Sequence, residues 1–204
     1  MDLFLRKECL PDTRMNVLEF IINWVNDSRT TQNVLWIHGL ARSGKSTLST
    51  TIVNCFRESG NLGTFIFFNR DVAERNNPWD VIRTMAYQLG VFHPDISEII
   101  ASALKSSPNI CLSPISYQFQ QLFLDTLSPS KGCTALAPIV LVLDALDECG
   151  TPKDREILLT VLSDKSRDLH LNVRFIFTSR AEIDIFRAFN HQIHIRTLEL
   201  DITV

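Results

Sequence analysis

The run Gly39-Leu40-Ala41-Arg42-Ser43-Gly44-Lys45-Ser46-Thr47 contains the pattern G-x-x-x-x-G-K-[ST]. Those residue types at that spacing can hold phosphate. Backbone N–H groups at a helix N-terminus have no partners within the helix and carry partial positive charge. Wrapped around an anion, they form a ready site. Lys45 adds a mobile full charge for the outer phosphates, and the Ser46 hydroxyl is a ligand for Mg²⁺. The motif needs a strand before it and a helix after it. Val34 to His38 (VLWIH) is an apolar, strand-like run, and Thr47 to Arg57 reads as a helix.

A second group of chemically capable residues lies in Leu141-Val142-Leu143-Asp144-Ala145-Leu146-Asp147-Glu148. An apolar strand that ends in Asp puts a carboxylate at the carboxyl edge of its sheet, where ligands of open α/β sheets bind. Asp144 in that place can hold Mg²⁺ directly or through water. Asp147 and Glu148 follow closely, and either can orient or deprotonate an attacking water. Both also suit the cap of the helix that begins near Pro152, and the spacing does not choose between them. A third signal is Thr178-Ser179-Arg180, directly after another apolar run. An arginine at that strand end would face the same edge as Asp144. It could bind the terminal phosphate and so tell triphosphate from diphosphate.

The elements that must position these groups are legible as an alternation. Residues 12–30 carry Val17, Leu18, Phe20, Ile21, Ile22, Trp24 and Val25 at near-helical spacing, closed by Asp27-Ser28. Gly63–Phe68 reads as a strand, and Asn76-Asn77-Pro78 opens a helix running through Leu89. Helices follow at about 95–105 and 114–127, ended by Ser106-Ser107-Pro108 and by Ser128-Pro129 with Lys131-Gly132. Ile139–Leu143 is apolar without alternation, the mark of a strand covered on both faces. A helix over 152–163, a strand at 173–177, a helix at 180–189 and a strand at 192–198 complete the pattern. Strands alternating with helices predict a doubly wound α/β fold, a mainly parallel five-stranded sheet with helices on both faces. A strand-like segment lies between Lys45 and Asp144, which suggests that the two motif strands are not neighbours in the sheet.

Composition narrows the class of function. At 204 residues, 45% hydrophobic and 21% charged, the chain has enough apolar material for one full core. A net charge of −3 argues against a nucleic-acid partner, which usually requires a basic face. No apolar stretch is long enough for a signal peptide or a membrane span. Cys9, Cys55, Cys111, Cys133 and Cys149 are odd in number and contain no C-x-x-C pair, which fits reduced thiols in the cytoplasm better than a disulfide framework or a zinc site. His191 and His194 lack further ligands nearby, and solvent is the expected environment of Arg70. No N-K-x-D guanine-recognition motif occurs, which favours adenine.

With the three motifs in this order the chain resembles a NACHT domain, a signal-transduction P-loop NTPase of the STAND group. The similarity is closest to fungal NACHT proteins and the related nephrocystin-like P-loop domains. The stretches that carry it are Cys9-Leu10-Pro11-Asp12-Thr13-Arg14 with Trp24, VLWIHGLARSGKST, FIFFNR, WDVIRTMAYQL, IVLVLDALDEC and FIFTSR. The resemblance implies a lead-in helix and linker over 1–30, a P-loop NTPase core over 31–204, and strand order 5-1-4-3-2. It implies binding of ATP or GTP with Mg²⁺, slow hydrolysis, and nucleotide-dependent switching with homo-oligomerisation, as in fungal non-self recognition or programmed cell death signalling. By position, Gly39 to Thr47 would bind nucleotide, Ser46 and Asp144 the metal, Asp147 or Glu148 the water, and Arg180 the terminal phosphate. Family loops commonly have Gly where Arg42 stands. The sequence stops at Val204, so the family's helical lid, effector domain and C-terminal repeat sensor fall outside it, and the expectation is a fragment, a truncated product or a minimal core. A non-hydrolysing, nucleotide-dependent interaction module is the alternative; a small-molecule kinase is disfavoured by the lack of an arginine cluster between the motifs.

Overall fold

A computed structural model describes residues 7–128 and 137–201. Cys133 and the turn residues Pro129, Lys131 and Gly132 lie outside the described residues. Five parallel strands form one sheet: β1 (Val34–Gly39), β2 (Leu62–Phe67), β3 (Ile139–Asp144), β4 (Val173–Ser179) and β5 (Ile195–Leu200). Their spatial order is β2-β3-β4-β1-β5, the expected order written from the other edge. The strand between the two motif strands is β4, which pairs with β1 on one side and β3 on the other.

Successive side chains of a strand point to opposite faces, and the core divides accordingly. Val34 and Trp36 of β1, Leu141 and Leu143 of β3, and Phe175 and Phe177 of β4 belong to one apolar cluster. Leu35, Ile37, Val140, Val142 and Ile176 belong to the other. The smaller cluster is covered by α1 (Met15–Asn26) and α2 (Lys45–Glu58), which bury Ile21, Trp24 and Val25, and Leu48, Ile52, Val53 and Phe56. The larger is covered by α3 (Val81–Phe92), α4 (Pro94–Ser106), α5 (Ile115–Phe119), α6 (Pro152–Lys165) and α7 (Ile183–Phe189). Helices thus cover both faces, as buried parallel sheets require.

Local chemistry sets most boundaries. Thr151 and Asp154 form a reciprocal capping box that starts α6, with Pro152 in its first turn. Gly44, at φ 84°, turns the chain from loop into α2. Three expectations are corrected. The helix expected over 114–127 is α-helical only to Phe119; Gln120–Leu124 is a π-turn, in which Phe119 and Phe123 stack at 5.1 Å. The helix expected from Arg180 begins at Ile183, because the backbone N–H of Arg180 donates to Asp147 Oδ1 (3.0 Å) and Glu182 stays extended. The strand expected from Gln192 begins at Ile195, after a turn in which Ile195 N–H donates to the Gln192 carbonyl (3.0 Å).

Candidate functional site

Because β1, β3 and β4 are parallel, their carboxyl ends share one rim. Gly39, Asp144 and Ser179 end these three strands. A cavity of about 460 Å³ opens there, lined by Lys45, Ser46, Asp144, Asp147, Glu148 and Arg180 among others.

The phosphate-type loop is tight at its base. A side chain at Gly39 would bring a Cβ within 2.6 Å of the Leu200 carbonyl and 2.9 Å of Ser43 Oγ, so β5 and the loop close directly onto bare backbone. Arg42 adopts φ 66° and is exposed. A left-handed conformation costs a non-glycine residue about 1–2 kcal/mol, so glycine would suit this position better. Lys45 Nζ donates to the carbonyls of Gly39 and Leu40 (2.7 Å each) and to Ser43 Oγ (3.3 Å). Burial lowers the Lys45 pKa; the charges of Asp147 and Asp144 oppose this and that of Arg180 adds to it. Arg14, from the lead-in segment, reaches the other side of the loop. Its guanidinium donates to the Ser43 carbonyl (3.1 Å) and the Asp201 carbonyl (2.7 Å).

Asp144 is fully buried. Thr178 Oγ1 donates to Asp144 Oδ1 (2.5 Å) and accepts from the N–H of Ala145 (3.0 Å), so one hydroxyl joins the ends of β3 and β4. Ala145, at φ 60°, turns the chain, and Leu146–Glu148 make a single 3₁₀ turn. That turn separates the two acidic residues. Asp147 is buried, with Oδ1 accepting from the Arg180 N–H and Oδ2 lying 3.4 Å from Arg180 Nε and 3.9 Å from an Arg70 nitrogen. Glu148 is half-buried and accepts from the backbone N–H of Arg70 (3.3 Å). Arg70 is thus largely in solvent, as expected, its side chain 52% exposed, with one nitrogen reaching Asp147.

Behind the acidic turn lies a buried cation that the sequence reading did not single out. Arg155, on α6, donates to the Asp147 carbonyl (2.9 Å), to Glu182 Oε2 (2.5 Å) and to both oxygens of Asp184 (2.7 and 3.1 Å). Burial works against its charge, but the hydrogen bonds to Asp184 and Glu182 outweigh it and raise the pKa. The histidines near the motifs have packing roles. His38 lies against Trp36, with ring centroids 4.5 Å apart, and His194 Nε2 meets the Ser163 carbonyl at 2.7 Å.

The oxygen donors suit Mg²⁺. One carboxylate and one hydroxyl at a cavity wall leave the remaining positions to phosphate oxygens and water, as Mg²⁺ prefers. Asp144 and Ser46 are such a pair and line the same cavity. Among the described residues no group of three or more His, Cys, Asp or Glu forms a dedicated metal cage. Cys9, Cys55, Cys111 and Cys149 are free thiols. Among the described residues no helix is long and apolar enough to cross a membrane.

The parallel order and the loop, acid and strand-end arginine at one rim define a P-loop NTPase-like α/β fold. Residues 18–180 match the family model described as nephrocystin 3, N-terminal, and the chain belongs to that family. Comparison with curated protein sequences finds no match. Among solved structures, Cdc6p from Pyrobaculum aerophilum is similar with a TM-score of 0.54 at 12% identity, over 93% of this chain and 45% of that one. The Aeropyrum pernix Orc1 protein, solved in complex with DNA, gives a TM-score of 0.49 at 15% identity, over 91% of this chain and 43% of that one. The chain thus spans less than half the length of either.

Proposed function

We propose that this chain binds a nucleoside triphosphate with Mg²⁺, adenine preferred over guanine, and hydrolyses it slowly as the switch core of a NACHT-type signalling protein. The observation that carries the reading is the meeting of Lys45, Ser46, Asp144, Glu148 and Arg180 around one cavity at the carboxyl edge of the sheet. The family match supports a P-loop NTPase-like domain, and the signalling role rests on the resemblance of the motif stretches to NACHT proteins. Nucleotide-dependent association of copies and a lid that reads the bound state belong to the same reading.

In this reading the loop N–H groups and Lys45 hold the outer phosphates, while Ser46 and Asp144 hold the metal. Bound Mg²⁺ supplies neutralisation of charge on the phosphate oxygens. Thr178 fixes one Asp144 oxygen at the end of β3. Glu148, rather than Asp147, takes the proton of the attacking water, because Asp147 is buried and its Oδ1 stays bound to the Arg180 backbone N–H even when that side chain turns to the phosphate. The water oxygen forms the new bond to the terminal phosphorus, the bridging bond breaks, and the diphosphate leaves with its charge held by Lys45 and the loop. Arg180 turns from Asp147 to the terminal phosphate when that group is present.

The non-hydrolysing alternative draws on one observation: Lys45 bonds loop carbonyls and Arg180 bonds Asp147, a set of self-contacts that suits a resting module. Phosphate release measured over hours separates the two. The parent protein is expected to release phosphate, and Glu148→Gln to cut the rate by about 10²–10⁴-fold, the usual worth of a general base, with triphosphate affinity kept. No release by the parent, with binding intact, would leave the interaction module as the better account.

A further inference from the structure

Burying an arginine with two carboxylates is a poor way to gain stability, since well-packed apolar groups of similar size often do as well or better. Arg155 is nonetheless 1% exposed, on a 14-residue helix fixed to the core by Leu158, Leu159 and Leu162. Its three partners share one property. Asp147 faces the cavity, and Glu182 and Asp184 lie two and four residues beyond Arg180. Arg180 and Asp147 meet across the gap between these segments, at 3.0 Å through the backbone N–H and 3.4 Å through Nε. We propose that Arg155 is a positioning residue: its guanidinium ties the acidic turn after β3 to the loop after β4, and so sets where Arg180 stands relative to a terminal phosphate.

The chemistry fits the task. A guanidinium presents several donors in a rigid planar fork, so it can serve three partners at fixed angles. An ammonium can carry the same charge but cannot span the same set. Residues 180–182 lie outside α7: Glu182 is extended, and the Arg180 N–H donates across the site to Asp147. The Arg155 contacts to Glu182 and Asp184 hold the segment in that form. The inference rests on the proposed nucleotide site and concerns only its discrimination between tri- and diphosphate.

Arg155→Lys is the direct test, with calorimetric titration of Mg²⁺–ATP and Mg²⁺–ADP and with thermal unfolding to confirm the fold. A charge-assisted hydrogen bond from Arg180 to a terminal phosphate gives the parent a triphosphate-to-diphosphate affinity ratio of about 10 or more. Arg155→Lys is expected to leave diphosphate affinity within about 2-fold, since the loop and Lys45 are untouched, and to cut the ratio at least about 5-fold. In an Arg180→Ala background the same change is expected to alter the ratio no further; a merely structural role would act on both backgrounds alike. Glu182→Gln, at the more exposed end of the network, is expected to lower the ratio in the same direction and carries the test where Arg155→Lys does not fold. An unchanged ratio in a folded Arg155→Lys or Glu182→Gln protein, or a further drop without Arg180, overturns the inference while the nucleotide site stands. A parent that binds neither nucleotide overturns the site and the inference together.

Discussion

Lys45 rests half-buried on the carbonyls of its own loop, and that position gives the proposed phosphate-binding charge a pH signature. Burial lowers its pKa from the ordinary lysine value near 10.5. Phosphate charge beside it would raise the pKa again, so binding takes up a proton where the empty protein has lost it. The sign follows: affinity is full below the lowered pKa and falls as pH rises through it. Titrations at pH 7.5, 9 and 10 are expected to show triphosphate affinity declining toward high pH in the parent and a flatter profile in Lys45→Ala. Equal profiles in the two proteins would remove the lysine from the binding charge. The meeting of Lys45, Ser46 and Asp144 at one cavity was legible in the sequence because residue type and spacing alone signal it. Arg155 was not, nor were the bonds of Thr178 and Arg70, because each reaches residues far along the chain. Asp147 and Glu148 stayed equivalent until the 3₁₀ turn buried one against Arg180 and left the other half-buried.

Elements followed the same division. The continuous apolar run of β3 and the strand–loop–helix order around Gly39–Lys45 are local signals, and they appear where the sequence puts them. The π-turn at 120–124 changes helical period where Phe119, Leu122 and Phe123 are buried beside α3 and α4, which periodicity cannot register. The late start of α7 is a tertiary effect, since Arg155 and Asp147 claim the loop before it. The junction of β1, the loop and β5 makes a stability prediction. Gly39→Ala would force a Cβ onto the Leu200 carbonyl, a backbone atom that cannot swing aside. Overpacking of this kind costs about 1–3 kcal/mol, to be read from the urea midpoint. Stability within about 0.5 kcal/mol of the parent would mean that β5 does not close on the loop as described.

Across the whole molecule, the sheet order turns three separated stretches of sequence into one site. Two apolar layers hold the strands from either side, and two arginines fasten the lead-in segment to this frame. Arg174 donates to the Val25 and Asp27 carbonyls with its guanidinium 5.5 Å from the Trp24 ring, and Arg14 joins the loop to the end of β5. The central claim is that Lys45, Asp144 and Arg180 act on a single Mg²⁺–triphosphate. Calorimetric titration of ATP and ADP, with and without Mg²⁺, against Lys45→Ala, Asp144→Ala and Arg180→Ala tests it directly. The account predicts three distinct losses: about 10- to 150-fold in affinity for both nucleotides with Lys45→Ala, the Mg²⁺ dependence with Asp144→Ala, and the triphosphate preference with Arg180→Ala. Parent-like binding by all three variants would contradict it.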